Sequence, residues 1–211
     1  MTDLNLRASL HRGLLEAELS FTPDMEDKLL QLVEMLSVWN ARLNLTAVRT
    51  REEMIVLHIL DSAVISPLLE GEDIADVGTG AGFPGLVLAI LNPDRQFTLI
   101  DSVGKKLSFV TAAITSLKLK NVKVMLSRVE KIRNRTFDEV VSRAFAPLGR
   151  MATWSLPILG EEGRMLAMKA NLSEEELKDL PPGVKIKEIR HLTVPMLDAT
   201  RQAVFLVRDK Q

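Results

Sequence analysis

Residues 74–90 read IADVGTGAGFPGLVLAI, and this stretch decides the fold. The apolar run Ile74–Val77 predicts a short buried strand ending beside Asp76, and Leu86–Leu91 predicts the first turns of a helix. Between them fall Gly78, Gly80, Gly82 and Gly85. Glycine accepts positive φ and lets a ligand approach the backbone without meeting a Cβ. Pro84 stands where a first-turn proline is tolerated, because its missing N–H would be unpaired anyway. A loop of this kind, facing a helix N-terminus, offers N–H groups and a partial positive charge that favour a phosphate or a carboxylate. Asp76 adds a negative charge beside them.

Two ligand frames fit the loop. From Gly80, GAGFPG satisfies the dinucleotide fingerprint G-x-G-x-x-G, with Asp101 about 20 residues on as the acid for a ribose, and this frame implies an NAD-dependent oxidoreductase. From Asp76, DVGTGAG resembles motif I of class I S-adenosylmethionine-dependent methyltransferases. The second frame explains more. It begins at the strand end, sets Asp76 near a ligand carrying an ammonium and a sulfonium, and leaves the ligand's carboxylate for the N–H groups.

At 211 residues the chain is long enough for one α/β domain with an appendage. A formal net charge of −1 excludes an overall electrostatic grip on nucleic acid, so any such binding uses a local patch. The absence of cysteine excludes disulfides, thiolate metal sites and cytosine C5 methylation through a cysteine adduct, and suits the cytoplasm. Asp3, Arg7, Arg12 and Glu16 interrupt the N-terminus, which has no signal-peptide core, and no run approaches membrane-spanning length.

Working outward, Leu4–Leu19 has helical spacing, and Thr22-Pro23 forms an N-cap and first-turn pair for a helix reaching about Leu43. Trp39 falls on the apolar stripe of that helix and reads as core. Asn44–Thr46 breaks the helix, and Arg51–Leu69 restarts it. Residues 1–70 are thus expected to form a helical cap, and 71–211 the α/β core. Arg42, Arg49 and Arg51 surround the turn between the two cap helices, where a solvated surface is the commoner reading. His58 and Asp61 stand three apart and are expected to pair on one helical face; no further ligand pair suggests a metal.

Beyond the loop, strands are expected at Gln96–Ile100, Val122–Leu126, Phe137–Ser142 and Gly163–Lys169. Helices are expected at Lys105–Leu119, Leu148–Leu159 and Ser173–Leu180. Val184–Val194 and Arg201–Arg208 read as an antiparallel hairpin, giving a seven-stranded mixed sheet whose last strand is antiparallel. Asp101, at a strand's carboxyl end, suits a ribose diol. In SRVE, Val129 and Glu130 fall where an adenine edge would lie, and Arg143 reaches the same sheet edge in Ser142-Arg143-Ala144-Phe145-Ala146-Pro147. Lys118, Lys120, Lys123, Arg128, Lys131, Arg133 and Arg135 form a basic run with one acid, Glu130, and Lys105 and Lys106 join the same edge.

The motifs WNARLNLTAVR, HILDS, DVGTGAGFPG, LIDSVGKK, SRVE, VVSRAFAPL and VPMLDATR run along nearly the whole chain. Together they resemble the bacterial small-subunit ribosomal RNA guanine-N7 methyltransferase family, small-subunit methyltransferase G, also called glucose-inhibited division protein B. The resemblance implies a Rossmann-like class I methyltransferase fold and a donor site at Gly78 and Phe83, with Val129 and Glu130 at the adenine and Arg143 after the fourth strand. Asp76, Gly80 and Asp101 complete the expected cofactor contacts. It also implies methylation of N7 of one guanine in the decoding-region hairpin of 16S ribosomal RNA, free or in the 30S subunit. No oligomer is implied, and a monomer is the expectation. Lys105, Lys106, Arg128 and Arg201 are the candidate RNA contacts.

The chemistry agrees with what the sequence lacks. Guanine N7 has a lone pair and no proton to lose, so attack on a sulfonium methyl needs alignment and no general base. Arginine donors near guanine O6 orient the base, and Arg143 is the candidate for lining that site. SRAFAP stands where an Asn/Asp-Pro-Pro-aromatic motif accompanies exocyclic amine methylation, which disfavours adenine N6. A third class, a ribosome- or RNA-binding module with a vestigial cofactor fold, rests on the basic run and the absence of an obligatory catalytic group.

Overall fold

A computed structural model describes residues 3–143 and 146–209. The strand, loop and helix read from residues 74–90 stand at its centre. β1 (Asp73–Val77) enters the glycine loop, and α5 (Gly85–Leu91) leaves it. Ahead of them come α1 (Asp3–Glu16), α2 (Pro23–Leu43), α3 (Arg51–Met54), a π-helical turn at Ile55–Leu60, α4 (Asp61–Ala63) and a 3₁₀ turn at Ser66–Leu68. After them come β2 (Gln96–Asp101), α6 (Gly104–Ser116), β3 (Val122–Leu126), β4 (Phe137–Arg143), α7 (Leu148–Ser155), β5 (Leu159–Lys169), α8 (Glu174–Lys178), β6 (Val184–Leu192) and β7 (Arg201–Arg208).

The sheet order is β3-β2-β1-β4-β5-β7-β6. β1 pairs in parallel with β2 and β4, and β7 runs antiparallel between β5 and β6. The expected seven-stranded mixed α/β sheet is the observed one. Strand order reverses between β1 and β4, and open α/β sheets bind ligands beyond the strand carboxyl ends at such a point.

Side chains alternate across each strand, so the sheet has two buried faces. Ile74, Leu99, Val141, Leu166 and Phe205 share one core with α1, α2, α5 and α6. Ala75, Ile100, Val140, Met165 and Val204 pack on the other side against α7. Local signals set the helix ends. Thr22 Oγ1 accepts from Met25 N at 3.3 Å, Asn44 closes α2 with a left-handed φ of 48°, and Thr50 and Glu53 form a capping box at α3.

Several boundaries differ from expectation. The single helix expected over Arg51–Leu69 is broken into four pieces around the π-helical turn, a form that recurs at functional sites. The helix expected to reach Leu159 ends at Ser155, because Pro157 has no N–H to continue it, and β5 starts at Leu159 instead of Gly163. β6 stops at Leu192, two residues early. Among the described residues no helix is long and apolar enough to cross a membrane.

Candidate active site

The glycine loop is held from inside. Gly78 N and Thr79 N both donate to Ile100 O, at 2.9 and 3.1 Å, which fastens the loop to the end of β2. Asp76 Oδ2 accepts from Thr79 Oγ1 at 2.6 Å and from Gly85 N at 2.8 Å, so one carboxylate oxygen ties the loop's start to the first residue of α5. An added Cβ at Gly85 would lie 2.7 Å from that oxygen, which is why glycine is needed there. Gly78 takes a φ of 70°, a region open to glycine and strained for most other residues.

Asp76 is fully buried, and its Oδ1 has no hydrogen-bond partner among the described residues. Burial pushes its carboxyl up to about 6, against the opposing pull of the Thr79 and Gly85 bonds and of Arg143. The sequence reading gave Asp76 a fixed charge beside the ligand. In the structure it stands behind the loop, off the cavity wall, and its charge titrates near neutrality.

In front of the loop, beyond the carboxyl ends of β1 and β2, lies a cavity of about 420 Å³, within the range of about 300–1,000 Å³ typical of small-molecule sites. Gly78, Asp101, Lys106, Arg128, Val129 and Glu130, all named from sequence, line it together. Asp101 Oδ2 accepts from Gly80 N at 2.9 Å and Oδ1 from Val103 N at 2.8 Å. A carboxylate has more acceptor sites than these two bonds use, so Asp101 fixes the loop with lone pairs to spare on the cavity wall. Glu130 lies 3.9 Å from Arg128 across an open ion pair. Ser102, Ser127 and Trp154 also line the cavity, and the sequence reading missed them. Trp154 arrives from α7, far along the chain, with the Arg150 guanidinium over its ring at 5.6 Å.

A second cavity of about 300 Å³ lies at the ends of β4 and β5, lined by Leu57, His58, Asp61, Arg143, Lys169 and Arg201 among others. Arg143 Nη1 donates to Leu57 O at 2.8 Å and to Asp61 Oδ2 at 3.0 Å. Arg201 Nε donates to Asp61 Oδ1 at 2.7 Å. The expected His58–Asp61 pair is therefore not direct: His58 lies within the π-helical turn and Asp61 caps it, and both side chains engage Arg143. Arg143 Nη2 lies 3.2 Å from His58 Nδ1, and His58 Nε2 lies 2.8 Å from Thr46 Oγ1. A guanidinium only donates, so Nδ1 accepts and Nε2 carries the proton toward Thr46. Burial, reinforced by Arg143, lowers the His58 pKa to about 4, which keeps the ring neutral.

Phe83 is buried and stacks on His58, with ring centroids 4.9 Å apart and planes at 20°. It lines neither cavity. Gly80 likewise shapes the loop from outside the first cavity's wall. Lys105 is exposed at the start of α6, but the rest of the basic run divides. Arg128 reaches the first cavity, whereas Lys123 and Arg135 line a groove at the opposite end of the strands, and Arg135 pairs with Asp73. Arg51 is engaged by Glu34 at 2.7 Å. Trp39 packs edge-on against Phe109 as core. Ala144 and Phe145 of the SRAF motif lie outside the described residues.

A family model described as rRNA small subunit methyltransferase G matches residues 25–205, from the first turn of α2 into β7. The chain belongs to that family. A Psychromonas ingrahamii protein named Ribosomal RNA small subunit methyltransferase G is 45% identical over 206 residues, covering 97% of this chain and all of its own. A Sodalis glossinidius protein of the same name is 46% identical over 92% of this chain and 95% of its own. Among solved structures, an S-adenosylmethionine-dependent methyltransferase from Aquifex aeolicus superposes with a TM-score of 0.56 at 17% identity, over 74% of this chain and 93% of its own. That likeness shows the Rossmann-like methyltransferase fold. Family membership selects the frame beginning at Asp76 over the dinucleotide frame GAGFPG, and the protein is a methyltransferase.

Proposed function

We propose that the protein transfers a methyl group from S-adenosyl-L-methionine to N7 of one guanine in the decoding-region hairpin of 16S ribosomal RNA, as free RNA or within the 30S subunit. The observation that carries this reading is the pair of cavities beyond the strand carboxyl ends, one at the glycine loop and suited to a nucleoside, the other at β4 and β5 and lined by arginines, in a chain of this family.

The residues present fit the donor. The backbone at Gly78 leaves the cavity floor without a side chain, Asp101 offers acceptors to a ribose diol, and Val129 and Glu130 offer a backbone N–H and a carboxylate to an adenine edge. When bound, S-adenosyl-L-methionine supplies an electrophilic methyl on a positively charged sulfur. The rest falls to the protein. Arg143 and Arg201 bring donors to the second cavity, where guanine O6 and the flanking phosphates need them. His58, neutral and with its Nε2 proton directed to Thr46, is not placed as a base, in keeping with an acceptor that has no proton to lose. Rate enhancement then rests on alignment within a positively charged cleft. Lys105, Lys106 and Arg128 flank the mouth as phosphate contacts.

The test is transfer of labelled methyl to 30S subunits and to free 16S RNA, followed by nucleoside analysis. The expected product is 7-methylguanosine at one position. Methyl at an exocyclic amine, or transfer to neither substrate, would overturn the reading.

A further inference from the structure

One carboxylate, Asp61, sits between two arginines that come from distant strands. It is buried at 4% exposure on α4, just after the π-helical turn. Each oxygen takes one guanidinium: Oδ2 from Arg143 at the end of β4, Oδ1 from Arg201 at the start of β7. The trio holds two positive charges and one negative, and the adjoining His58 is neutral. Lys169, on the same wall, is balanced by Glu176 at 2.7 Å. Counted over the cavity lining with Glu176 set against Lys169, the wall keeps a net charge of about +1 facing the second cavity, with buried Asp76 acting on Arg143 from behind, and Asp61 fixes where the two guanidinium groups point.

We propose that Asp61 is a positioning residue for methyl transfer, holding Arg143 and Arg201 in register with each other so that an anionic nucleotide meets them as one preformed clamp. This rests on the RNA-methyltransferase reading above. Arg143 is also held by Leu57 O and His58, but only Asp61 joins it to Arg201; both side chains are long and rotamer-rich, and without the shared carboxylate their like charges repel and their relative placement is lost. Asp61 touches no reacting atom. It acts through the arginines, by the two charge-assisted bonds that only a carboxylate can accept simultaneously without presenting a donor to either guanidinium.

The experiment is single-turnover methyl transfer to the RNA substrate by wild type, Asp61→Asn, Arg201→Ala and the double variant, with S-adenosylhomocysteine affinity and thermal midpoint measured alongside. Asp61→Asn keeps the shape but turns an amide donor toward one arginine. The expected result is a fall of tenfold or more in transfer rate, with cofactor affinity within twofold. In the Arg201→Ala background the same substitution should cost less than a third of that factor, because part of what it braces is already gone. Full additivity, or a transfer rate unchanged by Asp61→Asn, overturns the proposal. If Asp61→Asn fails to fold, Arg201→Lys decides: it keeps the charge but weakens the planar contact, and wild-type transfer by it also overturns the proposal. A wild-type protein that transfers no methyl to RNA at all would sink the functional reading itself, and this proposal with it.

Discussion

Gly85→Ala adds one carbon to the first residue of a helix, a change that ordinarily stabilises by up to about 1 kcal/mol. Here the added Cβ would lie 2.7 Å from Asp76 Oδ2 and 2.8 and 2.9 Å from Leu99 Cγ and Cδ1, all inside contact distance. Neither neighbour has room to retreat, since both are fully buried. Overpacking of this kind costs about 1–3 kcal/mol. The same displacement strains, without breaking, the 2.8 Å bond from Gly85 N to a carboxylate, forfeiting about 1 kcal/mol of the about 1.5–3 kcal/mol that a hydrogen bond to a charged group contributes. Offsetting the helix gain leaves a net loss of about 2 kcal/mol. Urea unfolding measures this as a midpoint lowered by about 1 M at an unchanged slope. Gly104→Ala is the control, because Gly104 also opens a helix but its Cβ would meet only Leu126 Cδ2, at 3.9 Å. That variant should be as stable as wild type or slightly more so. If Gly85→Ala matches Gly104→Ala, Asp76 is not the rigid backstop of the loop and the reasoning fails.

Asp76 should also leave a signature in pH. Its folded pKa, about 6, is raised above the ordinary 3.8, so its contribution to stability is fully present below pH about 3.8 and is lost as pH rises through about 6, a swing of roughly 3 kcal/mol. Wild type measured against Asp76→Asn should therefore lose relative stability between pH 4 and 7, and a flat difference would contradict the burial argument. Gly78→Val should abolish binding of S-adenosylhomocysteine in calorimetry and also lower stability, since a β-branched residue at a φ of 70° is strained; retained affinity would remove Gly78 from the site. Trp154 and Trp39 are the two tryptophans, so in a Trp39→Phe background emission reports Trp154 alone. Saturating S-adenosylhomocysteine should shift that emission, and an unchanged spectrum would place the nucleoside elsewhere.

What the sequence made legible was local. Alternation and glycine spacing announced β1, the loop and α5, and the residues following β2 and β3, from Asp101 to Glu130, could be placed at one sheet edge because parallel strands deliver their ends together. The second cavity was harder to read. His58 and Asp61 looked like an i, i+3 pair because helical spacing was assumed, but a π-helical turn depends on what packs around it and leaves no periodic mark. Trp154 reaches the first cavity from α7, and only the packing of that helix against β5 and the Val129–Lys131 turn shows it. Phe83 sits in the loop's sequence but turns inward to His58, a choice made by the apolar space behind the loop. The early end of α7 was the avoidable miss, since Pro157 signalled it.

The reversed strand has a consequence of its own. Were β7 parallel to its neighbours, the turn before it would open on the far side of the molecule. Because β7 runs backwards, Gln202 pairs with Lys169, and residues 193–200 are carried to the same rim as the arginines. Met196 in that turn meets α1, where Arg12 Nη2 approaches its sulfur at 3.3 Å. The turn is thus a hem stitched to the N-terminal helix. Val194 at its start is buried in the core and Leu197 packs against it, so the same turn that borders the arginine rim also anchors the helical N-terminus to the sheet.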